Sequence, residues 1–143
     1  MCLKKLYILL GLAFCSGVAM GQNCTDWVNP MIGTNGMGHT FPGACAPFGI
    51  VQLSPETDTI PQNVNGKYQP QAYAYCAGYQ YHDRTIVGFS HTHLSGTGHS
   101  DLGDVMIMPV DGPLKLNPGT AADPDAGYRS RFSHKTEKCA PGY

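Results

Sequence analysis

The sequence predicts a mostly β fold, with a β-sandwich as the favoured architecture. Three observations carry that expectation. All 11 prolines of the 143 residues fall after residue 21, where glycine is also abundant, and both residues oppose helix interiors. No long window shows apolar residues at helical spacing. Short β-branched or apolar runs alternate with turn residues instead.

The first 21 residues are set aside from the fold. Lys4 and Lys5 precede an apolar run from Leu6 to Phe14, the pattern of a secretory signal peptide. The run is far short of the roughly 20 apolar residues that a membrane span needs. Ala19-Met20-Gly21 fits a small-x-small cleavage site, which makes 22–143 the expected mature domain. Lipidation at Cys15 is the competing reading, but bulky Phe14 stands where a small residue is required. Export implies an oxidising compartment, so Cys24, Cys45, Cys76 and Cys139 are read either as one or two disulfides or as thiols. Three full pairings are open. None of the four is spaced as a C-x-x-C motif.

Four segments read as strands. Ile50-Val51-Gln52-Leu53 closes on Ser54-Pro55. Thr85-Ile86-Val87-Gly88-Phe89 is the second, and Asp104 to Met108, closed by Pro109, the third. Tyr128-Arg129-Ser130-Arg131-Phe132 alternates aromatic and polar residues as a half-buried strand does. Residues 33–49 and 54–84 are read as long loops, of the kind that carry function or pack against something further. The last residues, Ala140-Pro141-Gly142-Tyr143, look like a turn entering another strand, so a truncated protein is expected.

Composition excludes some functions. Lys plus Arg number 9 against 10 Asp plus Glu, which gives no basic field for nucleic acid. The chain lacks a phosphate loop, a dinucleotide fingerprint and a Gly-x-Ser-x-Gly elbow. What remains is a set of binding candidates. His91, His93, His99, Asp101 and Asp104 cluster at a strand end in a glycine-rich stretch. His91-x-His93 on a strand would aim both rings to one side, and with His99 or Asp101 could ligate a metal. The competing readings are a polar loop at a binding cleft and a loop whose side chains hold its own backbone. Tyr73, Tyr75, Tyr79 and Tyr81 would share one face of an extended segment, either stacking on sugars or forming a half-buried sheet face. His39, in a Gly/Pro-rich loop, is read as structural. The candidate substrate contacts are Tyr75, Tyr79, His91, His93 and Asp101. No catalytic pair and no metal ligand is assigned, since Asp83, Asp101 and Asp104 are not singled out as the two carboxylates a glycosidase needs.

Five blocks carry a resemblance. They are Val28-Asn29-Pro30-Met31-Ile32-Gly33-Thr34, His39-Thr40-Phe41-Pro42-Gly43-Ala44, Pro47 through Pro55, Cys76-Ala77-Gly78-Tyr79, and Gly88 through Gly98. In this order they resemble glycoside hydrolase family 92, calcium-dependent exo-acting α-mannosidases abundant in Bacteroides-like gut bacteria. The resemblance spans about residues 26–143. It implies an N-terminal β-sandwich that packs on an (α/α)6 barrel absent from this chain. The acid, the base and most calcium ligands are expected in that barrel, and the mechanism is expected to invert the anomeric centre. Calcium and mannose-containing glycans are therefore the implied cofactor and substrates, and the isolated segment is expected to be inactive. Periplasm or cell surface is the expected location. Tyr75 stands where many relatives carry Trp, a departure that bears on linkage preference. A noncatalytic carbohydrate-binding or surface sandwich is the alternative.

Overall fold

The structure is a computed structural model that describes residues 23–45, 49, 51–58, 60–96 and 105–141. The expected leader 1–21 lies outside the described residues, as do His99, Asp101 and Asp104. Among the described residues, extended chain and turns dominate. Six short strands pair into three two-stranded antiparallel sheets, and helix is confined to single turns. The expectation of a mostly β chain holds. No described helix is long and apolar enough to cross a membrane.

Two strands form the frame of the site. β1 (Ser54–Glu56) pairs with β5 (Gly88–Ser90), with Ser54 opposite Ser90 and Glu56 opposite Gly88. Glu56 and Ser90 are diagonal neighbours on one face, close enough for side chains to meet. The first strand therefore starts where the sequence reading closed it. Pro55 sits within it, as proline does in a strand with a free edge. Before it, Gln52 N–H donates to His91 O at 2.8 Å, so the pairing continues without regular strand geometry.

The expected run 85–89 is split. β4 (Thr85–Ile86) pairs with β6 (Ser130–Arg131), while β5 pairs with β1. Val87, fully buried, is the switch between the two sheets, and its N–H donates to Glu56 O at 2.8 Å. Burying a valine in full stabilises by about 1.5–3 kcal/mol. Phe89 and Ile107 exchange two backbone hydrogen bonds of 2.9 Å, so the third expected strand adds to the edge of β5 as a single bridge.

Residues 54–84 hold more structure than a loop. β2 (Asn63–Val64) and β3 (Lys67–Tyr68) form a hairpin around Asn65-Gly66, both at positive φ (53° and 77°). Asn-Gly in a two-residue turn is the strongest short hairpin signal. Next comes the one-turn helix Gln71–Ala74, entered from Pro70 at φ −58° and ψ −28°. This corrects the extended reading of the tyrosine segment. Tyr73 and Tyr81 are exposed, Tyr75 is half-buried and Tyr79 is 1% exposed, so the four do not share a face. Gln-Ala-Tyr-Ala favours a helical turn, and period 2 fails from its first residue.

Candidate functional site

Three segments converge: the glycine-rich stretch 33–43, the tyrosine segment 71–83 and the histidine stretch 90–96. Gln80 ties the first two together. Buried to 1% exposure, its Oε1 accepts Gly36 N–H at 2.8 Å and its Nε2 donates to Gly36 O at 3.1 Å. One side-chain amide thus pairs with the N–H and C=O of a single residue, as a strand neighbour would. Tyr81 N–H donates to Thr34 O at 2.8 Å, and Gly96 N–H donates to His39 O at 2.6 Å, so the glycine-rich stretch is tied to both of the other segments. The tight approach of 33 and 38 requires glycine: a Cβ on Gly38 would lie 2.1 Å from Gly33 O.

His93 sits at the centre and is 1% exposed. Its Nδ1 lies 2.7 Å from Gln52 O, and its Nε2 lies 2.9 Å from Glu56 Oε1 and 3.0 Å from Ser90 Oγ. The Ser90 hydroxyl also donates to Glu56 Oε1. Serine, histidine and glutamate together suggest a nucleophile relay, but the geometry excludes one. A relay histidine takes the serine proton on one ring nitrogen and is oriented by the acid on the other. Here serine and acid share Nε2, and Ser90 is itself 1% exposed. The cluster is a buried clasp between β1, β5 and the histidine stretch. Phe41 lies against the His93 ring at a tilt of 32°, centroids 5.0 Å apart.

The other candidates fall in different environments. His91 is half-buried, and its Nδ1 lies 2.5 Å from Val105 O. His91 and His93 therefore hold separate partners in the described residues. Tyr75 donates its hydroxyl to Asp83 at 3.0 Å. Burial, and then the Asp83 carboxylate, push its phenol well above the usual range. Tyr79 donates to Glu137 Oε1 at 3.0 Å, and burial followed by Glu137 raises it likewise. The polar side-chain atoms of Tyr79 and His93 thus meet partners within this chain. Asp101 lies outside the described residues.

Sequence reasoning missed Glu56, Gln80, Arg129, His134 and Glu137. Arg129, also buried, donates to Thr57 O, Thr85 Oγ1 and Asp58 Oδ1, each at 3.1 Å. His134 bonds Glu137 Oε2 and Tyr81 O, and its ring stacks on Tyr81 at 4.0 Å. The alternation around 128–132 would set Arg129 on the polar face opposite Tyr128 and Phe132, yet its side chain is buried. Beside these residues an open cleft of about 320 Å³ is lined by Asn29, Met31, Ile32, Asn35 and Tyr81. His39 stands in a left-handed conformation, φ +50°, with its ring edge-on to Tyr73 at 4.7 Å.

The carboxylates of the described residues do not gather into a calcium site. Among the described residues no three His, Cys, Asp or Glu side chains gather to hold an ion. Glu56, Asp58, Asp83 and Glu137 each face a protein partner.

Residues 27–143 match the sequence model of the glycosyl hydrolase family 92 N-terminal domain. The chain belongs to glycoside hydrolase family 92. Solved family 92 structures agree. The family GH92 α-mannosidase of Bacteroides thetaiotaomicron, in complex with mannoimidazole, matches with a TM-score of 0.70 and 48% identity over 84% of this chain and 14% of its own. A second structure of that enzyme gives 0.69 at 48%, over 84% and 15%. The GH92 family glycosyl hydrolase ccman5 gives 0.57 at 28%, over 82% and 13%. No curated protein matches the chain. The chain spans 13–15% of the length of these solved family 92 proteins.

Proposed function

We propose that this chain is part of the N-terminal domain of an exported α-mannosidase that removes terminal α-linked mannose from glycans. The observation that carries the reading is the 48% identity to a family GH92 α-mannosidase over 84% of the chain. The chain's own contribution is to build and hold one wall of a sugar-binding region, with Gln80 and His93 fixing the loops beneath it. The acid, the base and calcium belong to polypeptide beyond this domain. That assignment draws support from Glu56, Asp58, Asp83 and Glu137, each of which is already taken up by a protein partner. Inversion would follow from an acid that protonates the leaving oxygen and a base that activates water across the ring. Periplasm or cell surface is the proposed location, by the leader pattern at residues 1–21.

The test uses the complete open reading frame that contains these residues. It should release mannose from an aryl α-mannoside, lose that activity in a chelator and regain it with calcium. The 143-residue chain alone should release none. A full-length protein without α-mannosidase activity, or an active isolated chain, would defeat the proposal.

A further inference from the structure

Two cysteines far apart in sequence reach the same short stretch of backbone. Cys45 is exposed, and its thiol donates to Gly43 O at 3.7 Å. Cys139 is half-buried, and its thiol donates to Pro42 O at 3.6 Å. Pro42 and Gly43 are chain neighbours, so both sulfurs sit beside consecutive peptide units. The C-terminal segment that carries Cys139 is docked independently, through His134 to Tyr81 O and through Glu137 to Tyr79. Its approach to the 42–45 stretch therefore does not depend on the thiol contact. Thiols are weak donors, and these two bonds alone hold little. The other cysteines are placed differently. Cys24 lies in the exposed 3-10 turn Cys24–Trp27, and Cys76, within the tyrosine segment, is 3% exposed.

We propose that Cys45 and Cys139 are a modification site that closes to a disulfide when the protein is oxidised. The oxidant is a small-molecule disulfide such as oxidised glutathione, or the disulfide of a dithiol oxidoreductase. The Cys45 thiolate attacks one sulfur of that disulfide and expels one thiolate, which leaves a mixed disulfide on Cys45. The Cys139 thiolate then attacks the Cys45 sulfur and expels the second. Two protein thiols lose two electrons and two protons, and one disulfide becomes two thiols. Burial, and then the Glu137 carboxylate, hold the Cys139 thiol above its ordinary range. That assigns the first attack to exposed Cys45 and makes ring closure quicken with pH. The product would pin the C-terminal segment to the stretch that carries His39 and Phe41.

The experiment equilibrates the full chain in reduced and oxidised glutathione, alkylates the remaining thiols, and digests with trypsin and chymotrypsin for mass spectrometry. The expected result is a Cys45–Cys139 linked peptide, lighter by two hydrogens than its halves, with Cys24 and Cys76 alkylated. The oxidised chain should melt several degrees above the reduced one, and Cys139→Ser should abolish that difference. Alkylation of both Cys45 and Cys139 at every redox ratio would overturn the inference, because the pair would then lack the distance or the Cβ geometry that a disulfide requires. A link from either one to Cys24 or Cys76 would overturn it equally.

Discussion

His93 and Tyr79 make the residue-scale argument. Removing the His93 ring takes a partner from Glu56 Oε1, Ser90 Oγ and Gln52 O, of which Ser90 and Glu56 keep each other, and a buried partner lost without replacement costs about 1–3 kcal/mol. His93→Ala should therefore lower stability by at least that amount. His91→Ala, which loses a contact to Val105 O near the surface, should cost less. Denaturant melts compare the two, and equal losses would contradict the clasp. Tyr79 gives a pH prediction. Its phenol is held neutral in the fold by burial and by donation to Glu137, so its ionisation in the fold is shifted upward. In the unfolded chain it ionises near pH 10. The stabilisation is complete below about pH 10 and is lost as pH rises toward the folded value. Tyr79→Phe has nothing to ionise, so its melting temperature should fall less steeply between about pH 9 and 11 than that of the unaltered chain. Parallel falls would mean that the phenol is not linked to folding.

At the scale of elements, two glycines of equal φ separate strain from packing. Gly66 and Gly78 both stand at φ +77°. Around Gly66 a Cβ would meet nothing within 4 Å, whereas on Gly78 it would lie 2.2 Å from Glu56 Oε2. Gly66→Ala should cost only the left-handed penalty of about 1–2 kcal/mol. Gly78→Ala should cost more, because it also displaces the carboxylate that holds His93. Thermal melts decide between them. The same elements show what was legible. Asn65-Gly66 carried a hairpin signal that the loop reading of 54–84 passed over. The helical turn Gln71–Ala74 was hidden because odd spacing of tyrosines fits a strand equally well over so few residues. The split of 85–89 at Val87 was invisible, since nothing local says which partner each half will find.

For the whole molecule, the feature that matters is apolar surface around residues 105–116. Val105, Ile107 and Val110 are about half exposed, and Leu114 and Leu116 are 78% and 85% exposed. Ile107 lies on an edge bridged only to Phe89 among the described residues. Apolar patches joined to a strand edge promote self-association. The chain alone should scatter light increasingly with concentration. Leu114→Glu with Leu116→Glu should reduce that scattering without lowering the melting temperature, because neither side chain is buried here. Unchanged scattering would show that association runs through another surface.

Composition and local pattern determined the class. Proline and glycine excluded long helices, the short apolar runs gave β, and five ordered blocks pointed to family 92. Which partners the candidates' polar atoms meet within the chain was decided by the tertiary structure alone. Tyr79 finds Glu137, His93 finds Glu56, and Gln80 finds Gly36, all partners distant in sequence. Period and propensity report a residue's neighbours within a few positions. Burial of a tyrosine or histidine depends on which distant acceptor the fold brings to it, and the sequence alone did not say which acceptor that would be.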